Sequence, residues 1–524
     1  MTGTTFAEAL RAFRDAVGAE HVLESVDALL PYAVNVDPAG DVPPAAVVQP
    51  GSVDEVRTVV AAANRCHVSI YPLSAGRNHG LGMASAVDPG NVIVDLRRMN
   101  RIVEVDEELA FAVVEPGVTF IQMHRFLLEH KLPLWVSPTS GPVDGSLIGN
   151  ALDKGAGYTP YGDHFFNLCG MEVVLSDGRL VRTGDAAAAG VKTGQTHRWG
   201  SGPILDGLFV QSNFGVVVRA GVWLMPAPPD VRTFAVLFPD DDDIHAALEL
   251  TRALKLRGPV PGTISIPNDL FALGHLPADP TELAGGRRPL TDGDRRDARA
   301  RYQVGAWNLV GAIYGGPGAL DLSWASVQKA VSAYPAARLL PHDEVVVHPA
   351  FAYRVDIASG IPNEQELQLY KIRPNGGSLY FLPAIRLRGD DGLEVTRINR
   401  RILPQFGFDY TIEYLCAPRS VRATQPIIYD TTDPAQRTAA ISCYGRLLDE
   451  FAAAGYLVSR PNTLFQDRVM ASMPELRDVA LELKRALDPN GILAPGRYGL
   501  RVRATDPGSP DGKRREAPTS APVR

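Results

Sequence analysis

One glycine-rich segment, residues 74–82, constrains the fold of this chain more than any other part of its sequence. An apolar run over residues 68–73 precedes it and has the length of a buried strand. Glycines reach positive φ at little cost and let backbone N–H groups approach an anion, so such a loop can cradle a pyrophosphate. On this segment alone, a tight turn between two strands explains the pattern equally well.

Further glycine segments favour the cofactor interpretation. The spacing is not that of the dinucleotide fingerprint, because the third glycine is missing, and the lysine of a P-loop is absent. Small residues recur at 144–150, at 155–164 and at 212–217. An extended cofactor needs backbone to approach it at several points, and several such loops around a strand-rich half of the chain supply this.

At these residues the sequence resembles the flavoprotein family of vanillyl-alcohol oxidase, eugenol oxidase and p-cresol methylhydroxylase. The resemblance extends over residues 44–499 and includes the motifs at 206–213, 374–377 and 488–497. It implies an FAD-binding domain built from both ends of the chain, a cap domain that carries most of the substrate pocket, and hydride transfer from the substrate to flavin N5. It also implies a homodimer.

The order of patterns along the chain agrees with two lobes. The first 227 residues alternate helix-like and strand-like segments, and prolines at 226, 228 and 229 mark a break. Beyond it, the predicted helices cover residues 243–256, 324–334 and 435–454, and the predicted strands cover residues 306–313, 378–382 and 409–415. This mixture predicts an antiparallel sheet covered by helices.

With the resemblance, these patterns predict an α+β, two-lobed FAD-binding fold with an antiparallel-sheet cap domain. The predicted divisions are residues 1–227 for the first part of the FAD-binding domain, 228–455 for the cap or substrate domain, 456–500 for the return segment of the FAD-binding domain, and 501–524 for a disordered tail rich in proline, glycine and charge.

Residues of the glycine segments and of the return segment are predicted to bind FAD. They are Gly76, Arg77, Asn78, His79, Gly80, Leu81, Gly82, Gly145, Ser146, Gly149, Asn150, Gly157, Tyr158, Gly215, Val216 and Arg497.

The resemblance implies that relatives which oxidise para-alkylphenols hold the phenolate with two tyrosines and an arginine. The matching positions here are Leu81, Ser459 and Arg460, so only the arginine is kept. A planar guanidinium suits bidentate binding of an anion, and Arg460 is therefore predicted to grip a substrate carboxylate, enolate or phenolate. The alternative is that it pairs with a structural acid. Leu81 indicates a bulkier or less acidic substrate than a simple phenol.

Three further residues are catalytic candidates. Tyr158 falls where the family places an active-site tyrosine. The family's aspartate near the flavin falls close to residues 140–141, and Asp144 is the next carboxylate along the chain. Tyr414, with Glu413 beside it, lies on a predicted cap strand facing the flavin and is a candidate by location.

His79 is predicted to carry the flavin covalently. The cap-domain histidine that links FAD in vanillyl-alcohol oxidase has no counterpart between residues 406 and 430. Related oxidases link the flavin through a histidine inside the glycine loop, and His79 matches that arrangement. A neutral imidazole there could attack the 8α-methyl carbon. The alternative is that His79 only hydrogen-bonds the phosphates or a loop carbonyl.

Composition limits the partners. The net charge of −7 argues against nucleic acid or an anionic membrane. No signal-peptide pattern and no apolar stretch of about 20 residues is present, which predicts a soluble, cytoplasmic protein. The four cysteines lack paired spacing, and the histidines show no metal-binding motif. We therefore expect reduced thiols and no metal.

The predicted protein is an FAD-dependent oxidase or dehydrogenase that takes a hydride from a small organic substrate, aromatic or from secondary metabolism. Molecular oxygen or an electron carrier would reoxidise the flavin. Two alternatives remain open at this point: a redox-neutral cyclisation or isomerisation that retains FAD, and a non-catalytic flavin-binding protein.

Overall fold

The computed structural model describes residues 3–33, 42–276 and 288–502 of the chain. The predicted disordered tail lies outside the described residues, apart from its first two positions. No helix in the described ranges is both long and apolar enough to cross a membrane.

Short strands dominate the first lobe. They are β1 (Val22–Leu23), β2 (Ala46–Val48), β3 (Ile70–Leu73), β4 (Val92–Asp95), β5 (Ile102–Asp106), β6 (Phe111–Val114), β7 (Leu134–Trp135), β8 (Leu168–Val174), β9 (Leu180–Arg182), β10 (Val216–Trp223) and β11 (Met225–Pro226).

These strands form two main sheets. The first has the order β1-β2-β4-β3, in which β4 runs parallel to both β2 and β3. The second, with the order β5-β6-β10-β8-β9, is antiparallel throughout. Strands β7 and β11 pair separately. Strand β3 therefore delivers the chain into the glycine loop, as the apolar run before residue 74 predicts.

The end of the chain returns to the first sheet. The Ile70 amide donates to the Ile492 carbonyl at 2.8 Å, and the Ala494 amide donates to the Ile70 carbonyl at 2.7 Å. This parallel bridge places residues 492–494 beside β3, next to the glycine loop. Both ends of the chain thus contribute to the same lobe.

The strands of the second lobe are longer. They are β12 (Asp230–Phe238), β13 (Ile264–Pro267), β14 (Trp307–Gly315), β15 (Arg338–Leu340), β16 (Gly376–Phe381), β17 (Pro383–Arg386), β18 (Glu413–Cys416), β19 (Ser420–Asp430) and β20 (Leu457–Val458). They join in the order β15-β12-β14-β13-β18-β19-β17-β20, with β16 also paired to β19, and every pairing is antiparallel. The predicted α+β fold with an antiparallel cap sheet is confirmed.

Helices cover both lobes. They are α1 (Gly3–Val17), α2 (Val26–Ala33), α3 (Val53–Arg65), α4 (Phe120–Glu129), α5 (Leu147–Leu152), α6 (Ile244–Leu256), α7 (Asp269–Leu273), α8 (Asp292–Tyr302), α9 (Pro317–Val331), α10 (His342–Val345), α11 (Tyr353–Ala358), α12 (Gly389–Ile402), α13 (Pro434–Ala453), α14 (Gln466–Ala471) and α15 (Pro474–Leu487).

Two predicted elements differ in extent. The strand expected at residues 409–415 begins only at Glu413, because the Asn268 side chain binds the Tyr410 carbonyl and the Ile412 amide in place of a neighbouring strand. The helix expected from residue 324 begins at Pro317, whose fixed φ suits the first turn of a helix.

The two faces of the cap sheet differ in character. Alternate side chains of β18 and β19, among them Tyr414 and Ala423, pack into a large apolar core beneath the helices. Their neighbours Glu413 and Thr424, paired across the two strands, point to the other face. That face meets the first lobe, because Glu413 bonds Tyr158 there. The cap sheet therefore presents polar side chains at the junction of the lobes.

We predict that Asp488 is essential to the return segment. Asp488 and Lys484 are fully buried and paired at 2.6 Å, and the Asp488 carboxylate also accepts the Ile492 and Leu493 amides. Asp488→Ala leaves a buried, unpaired ammonium, which typically costs about 3–5 kcal/mol. Urea denaturation should show a loss of this order, whereas Asp478→Ala, at an exposed position of α15, should be neutral. Equal stability of the two variants would contradict this account.

Candidate active site

The glycine segments converge on one groove of about 1270 Å³ in the first lobe. Its walls come from segments far apart in sequence, including the return segment. The predicted FAD-binding residues that line it are Gly76, Arg77, Asn78, Gly145, Ser146, Gly149, Asn150, Gly215, Val216 and Arg497, and Arg460 lines it as well.

The glycine loop has the backbone of an anion cradle. Gly76 has φ +67°, and a Cβ there would lie 2.9 Å from the Ala84 Cβ, so only glycine fits without a shift. The amides of Gly76, Arg77 and Asn78 donate to no acceptor among the described residues. A row of free amides beside a groove fits the pyrophosphate of FAD.

The second glycine segment packs directly on the first. The Ser146 hydroxyl accepts from the Gly149 amide and donates to the Pro116 carbonyl, which fixes the start of α5. A Cβ at Gly149 would lie 2.0 Å from the Ser74 hydroxyl oxygen. Close contact between these loops therefore depends on glycine at position 149.

A buried carboxylate, Asp153, joins the walls of the groove. Its oxygens accept from Asn78 Nδ2 at 2.7 Å, Arg460 Nη2 at 2.8 Å and Arg497 Nη2 at 3.1 Å. The Tyr498 hydroxyl donates to it at 3.2 Å. Arg460 is thus paired with a buried acid, as the alternative interpretation of this residue expects. Its contact with a substrate stays a prediction.

Two other cations near this wall lack such a partner. Arg422 Nη2 donates to the Lys154 carbonyl at 2.7 Å, and neither side chain forms an ion pair with any described residue. Burial, aided by the nearby Arg460 charge, lowers the pKa of Arg422 to about 10. Burial and the charge of Arg422 lower the pKa of Lys154. The charges of Asp153 and Asp163 partly oppose the shift of Arg422, and Lys154 is exposed, so this corner carries two cations without a direct ion pair.

At the junction of the lobes, a buried polar cluster surrounds Tyr158. The Tyr158 hydroxyl donates to Glu413 Oε2 at 3.2 Å and lies 2.9 Å from the Ser140 hydroxyl. Arg354 Nη2 lies 2.5 Å from Glu413 and 3.3 Å from Glu366, so one guanidinium serves two carboxyl groups. Only 9% of Glu366 is exposed, and the other four members are more buried. The cluster is thus largely shielded from bulk water.

Glu366 holds a proton at neutral pH. Burial and the neighbouring Glu413 charge raise its pKa to about 8, although Arg354 opposes the shift. Two carboxyl groups that share one cation and little water cannot both ionise cheaply. A buried acid beside a buried carboxylate is an arrangement suited to proton transfer.

The junction cluster adjoins the groove. Ser140, which bonds Tyr158, lies between Thr139 and Pro142, and these two residues line the groove. A substrate against the end of the groove would therefore meet the cluster.

Several predicted residues lie elsewhere. The prediction that Tyr414 lies in the site is wrong. Its ring centroid lies 5.6 Å from that of Trp307 in the core of the cap. Side chains alternate along β18, so Tyr414 points away from the face that Glu413 occupies. Asp144 pairs with Arg77 at 2.5 Å, and about half of each side chain is exposed. It belongs to the rim of the groove and does not reach the cluster around Tyr158.

The second half of the glycine loop turns toward the cap. A Cβ at Gly80 would strike the Tyr380 ring, and one at Gly82 would strike Thr463. Leu81 is buried, and the His79 ring centroid lies 6.2 Å from that of Tyr370. Gly157 packs against Ser137 and His164. The predicted FAD-binding residues of this paragraph, which are His79, Gly80, Leu81, Gly82 and Gly157, lie outside the lining of the groove.

Sequence reasoning did not find Asp153, Arg354 or Glu366. No motif marks them, since Arg354 lies on the short helix α11 and Glu366 on a 3₁₀ segment, Gln365–Ile372. A usable signal was the position of Asp153, directly after the second glycine segment.

Comparisons with known proteins agree with the groove. Residues 44–184 match the family model described as an FAD binding domain. The chain is 39% identical over 506 residues to the 4-cresol dehydrogenase [hydroxylating] flavoprotein subunit of Pseudomonas putida, covering 95% of this chain and 96% of the relative. It is 32% identical to the 1'-carboxy-chondrochloren decarboxylase of Chondromyces crocatus, covering 94% and 97%.

Solved structures show the same architecture. A crystal structure of p-cresol methylhydroxylase with substrate bound superimposes with a TM-score of 0.93 at 38% identity, over 96% of this chain and 98% of that one. The 4-ethylphenol oxidase from Gulosibacter chungangensis, in a complex with isoeugenol, gives the same TM-score and coverage at 30% identity.

We predict that Glu366 makes stability fall with rising pH. Its folded pKa of about 8 exceeds the ordinary 4.5, so the folded state retains a proton that the unfolded state loses between these values. The contribution of Glu366 to stability is full below pH 4.5 and declines toward pH 8, with a slope of at most about 1.4 kcal/mol per pH unit. Relative to native protein, Glu366→Gln should gain stability across this window in urea denaturation.

Glu364→Gln is the matched control, because that carboxyl is exposed two residues away. The pH dependence of its stability should equal that of the native protein. A Glu366→Gln curve parallel to the native one would refute the buried, protonated carboxyl.

Proposed function

The chain belongs to the FAD-linked oxidase family of vanillyl-alcohol oxidase and p-cresol methylhydroxylase, and we propose that it removes a hydride from the ring-attached carbon of a small para-substituted aromatic substrate. It is an FAD-dependent enzyme. Bound FAD supplies the two-electron acceptor, which takes hydride at N5. The groove residues described above, from Gly76 to Arg497, would hold it.

The substrate class is supported by what the relatives act on. Their names specify 4-cresol and 4-ethylphenol, both small phenols with a carbon chain opposite the hydroxyl. The junction cluster lies beside Thr139 and Pro142 of the groove lining, where such a substrate could contact it.

The observation that carries the proposal is the buried carboxyl pair, Glu366 and Glu413, shared by Arg354. Removing a hydride from carbon leaves the substrate electron-poor, and the substrate oxygen must then release a proton. The Glu413 carboxylate can accept that proton through Tyr158, to which it is hydrogen-bonded. Arg354 holds both carboxyl groups in place, and burial excludes water that would compete for the proton.

The pocket differs from one that binds a simple phenolate. Leu81 is buried and offers no hydrogen bond, and the Ser459 hydroxyl donates to the Leu382 carbonyl at 3.0 Å. Neither position supplies the phenolic donor that the family resemblance implies there. Leucine and serine also leave more space than two tyrosines, so we propose a substrate bulkier than 4-cresol or one with a less acidic oxygen.

Reoxidation completes the proposed reaction. Molecular oxygen or an electron-carrier protein would accept the electrons, and the first relative named above is itself described as a flavoprotein subunit. Assembly as a homodimer, a cytoplasmic location and a role in secondary metabolism are parts of the same proposal.

Decarboxylation is a second candidate. It is favoured by the unpaired cations Arg422 and Lys154 beside the groove wall, which would suit a substrate carboxylate, and by the similarity to a decarboxylase. A redox-neutral reaction of this kind would retain FAD without net transfer of electrons.

We propose that His79 carries the flavin covalently. Its Nδ1 is buried and has no partner among the described residues. Burial and the Arg77 charge lower the pKa of its imidazole, so the ring is neutral and nucleophilic. Tyr370 is the neighbouring alternative, but burial raises the pKa of its phenol, which accepts a hydrogen bond from Ser378.

Acid denaturation of the holoenzyme tests this attachment. We expect flavin to stay with native protein and with Tyr370→Phe, and to be released from His79→Ala. Free flavin from native protein would overturn covalent binding. Release from Tyr370→Phe with retention in His79→Ala would assign the bond to the tyrosine instead.

Anaerobic mixing with 4-ethylphenol tests the reaction itself. The flavin absorbance should bleach in native protein, and Tyr158→Phe should bleach about 10²-fold more slowly, because the hydroxyl that relays the proton is gone. Tyr161→Phe, in the same loop, should behave as native.

Failure of native protein to bleach with any para-substituted phenol would refute the proposed substrate class. Release of carbon dioxide from a carboxylated substrate without bleaching would favour the decarboxylase. Equal rates for the two tyrosine variants would remove Tyr158 from the mechanism.

A further inference from the structure

Arg422 on strand β19 is a cation of the cap sheet that points into the junction of the lobes. Its Nη2 donates to the carbonyl of Lys154 in the first lobe at 2.7 Å. In the pairing of β18 with β19, Thr424 lies opposite Glu413, and Arg422 is two residues before Thr424. Because side chains alternate along a strand, Arg422 and Thr424 share the face of Glu413. Arg422 therefore belongs to the polar side of the cap sheet, beside the junction cluster.

The guanidinium of Arg422 forms no direct ion pair with any described residue. The acids whose charges reach it are Asp153 and Asp163. Asp153 already binds Arg460 and Arg497, and Asp163 is exposed, where water screens its charge. Three guanidiniums thus share one buried carboxylate. This corner of the junction can accept the charge of an anionic ligand.

That anion is not the cofactor. Arg460 and Arg497 line the FAD groove, whereas Arg422 does not. The free amides of the glycine loop, from Gly76 to Asn78, fit the pyrophosphate instead. Arg422 lies with Glu413 on the cap face, and Glu413 is the proposed acceptor of the substrate proton. The ligand of Arg422 is therefore the substrate.

The Thr424 hydroxyl is a second group on this face that lacks a partner. Its oxygen is buried and forms no hydrogen bond with any described residue. It lies roughly 7 Å along the strand from Arg422, within reach of the same ligand. A buried hydroxyl without a partner is costly, and a carboxylate is a strong acceptor for it. Arg422 and Thr424 thus offer donors to one anionic group.

The neighbouring side chains do not repel an anion. Glu366 holds its proton at neutral pH, and the Glu413 carboxylate is paired with Arg354 at 2.5 Å, so the junction cluster is neutral overall. His164 is neutral as well, because burial and the Arg422 charge lower its pKa to about 4.

One substrate can contact both Glu413 and Arg422. The two residues are diagonal neighbours on adjacent antiparallel strands, and the Cα atoms of such neighbours lie roughly 7–8 Å apart. An aromatic ring with its side chain spans such a distance. The ring oxygen and an anionic group at the other end of the molecule can therefore be bound at the same time.

We propose that the substrate carries a carboxylate on the carbon chain opposite its ring oxygen, and that Arg422 binds this carboxylate and selects for it. A planar guanidinium suits bidentate binding of a carboxylate, and the Thr424 hydroxyl donates to the same group. The inference rests on the proposed function and adds the charge of the substrate. It concerns binding alone, so it holds for either of the two reactions considered above.

A matched acid and amide test the selectivity. Holoenzymes with equal flavin content are given 3-(4-hydroxyphenyl)propanoate or its amide, which differ in charge and hardly in size. Native protein should have a kcat/KM about 30-fold higher for the acid, because hydrogen bonds to a charged group are the stronger ones. Arg422→Gln should bring the ratio of the two kcat/KM values to about 1, whereas Arg422→Lys, which retains the charge but not the fork, should keep part of the preference.

Arg419→Gln is the matched control. It removes an exposed cation three residues away in the same hairpin, and the ratio of acid to amide should stay at the native value.

A binding titration makes the test independent of turnover. In 4-hydroxybenzoate and 4-hydroxybenzamide the ring-attached carbon has no hydrogen to give, so neither compound reduces the flavin. Their binding to each holoenzyme is followed by the change in flavin absorbance. Native protein and Arg419→Gln should bind the acid more tightly than the amide, and Arg422→Gln should bind the two equally.

Native protein without a preference for the acids, or a preference unchanged in Arg422→Gln, would overturn the inference. Bleaching by 4-ethylphenol in that case would leave the proposed function standing. If no phenol bleaches the flavin but the tighter binding of 4-hydroxybenzoate is lost in Arg422→Gln, the proposed function fails and the carboxylate site stands.

Discussion

The contact of Arg354 with two buried glutamates, Glu413 and Glu366, is the interaction on which the site depends. Glu413 comes from the cap sheet, Glu366 from a 3₁₀ segment, and Tyr158, bonded to Glu413, from the first lobe. A buried charge is tolerated only when it is paired, and both carboxyl partners of Arg354 come from its own lobe. Docking of the first lobe brings the Tyr158 hydroxyl to Glu413 and the Tyr158 ring to 5.1 Å from the Arg354 guanidinium. In this buried cluster the Glu413 charge helps to raise the pKa of Glu366 to about 8. Stability and chemistry are therefore linked at the same residues.

In the cofactor groove, the buried carboxylate of Asp153 connects segments that are far apart in sequence. It accepts hydrogen bonds from Asn78 of the glycine loop, Arg460 and Arg497. These residues are far apart in sequence, so the groove exists only in the folded chain. Loops of glycine can then approach one another, as at position 149, and leave amides free for phosphate.

The sequence contained enough to predict the fold class, the glycine loops and the kind of cofactor. These depend on local patterns: an apolar run before a loop, helix caps such as Ser52, and strands broken by prolines. The sequence could not predict the junction cluster, because Tyr158 and Glu413 are 255 positions apart and their hydrogen bond depends on how the lobes dock. Tyr414 was wrongly placed for a simpler reason: a shift of one residue along a strand reverses the face.

Infrared difference spectroscopy of the holoenzyme, substrate-reduced minus oxidised, tests the central claim most directly. If Glu413 accepts the proton of the reaction, the spectrum of native protein gains a protonated-carboxyl band on reduction, and this band is absent in Glu413→Gln. A spectrum without a carboxyl signal, or one unchanged in Glu413→Gln, would contradict the account.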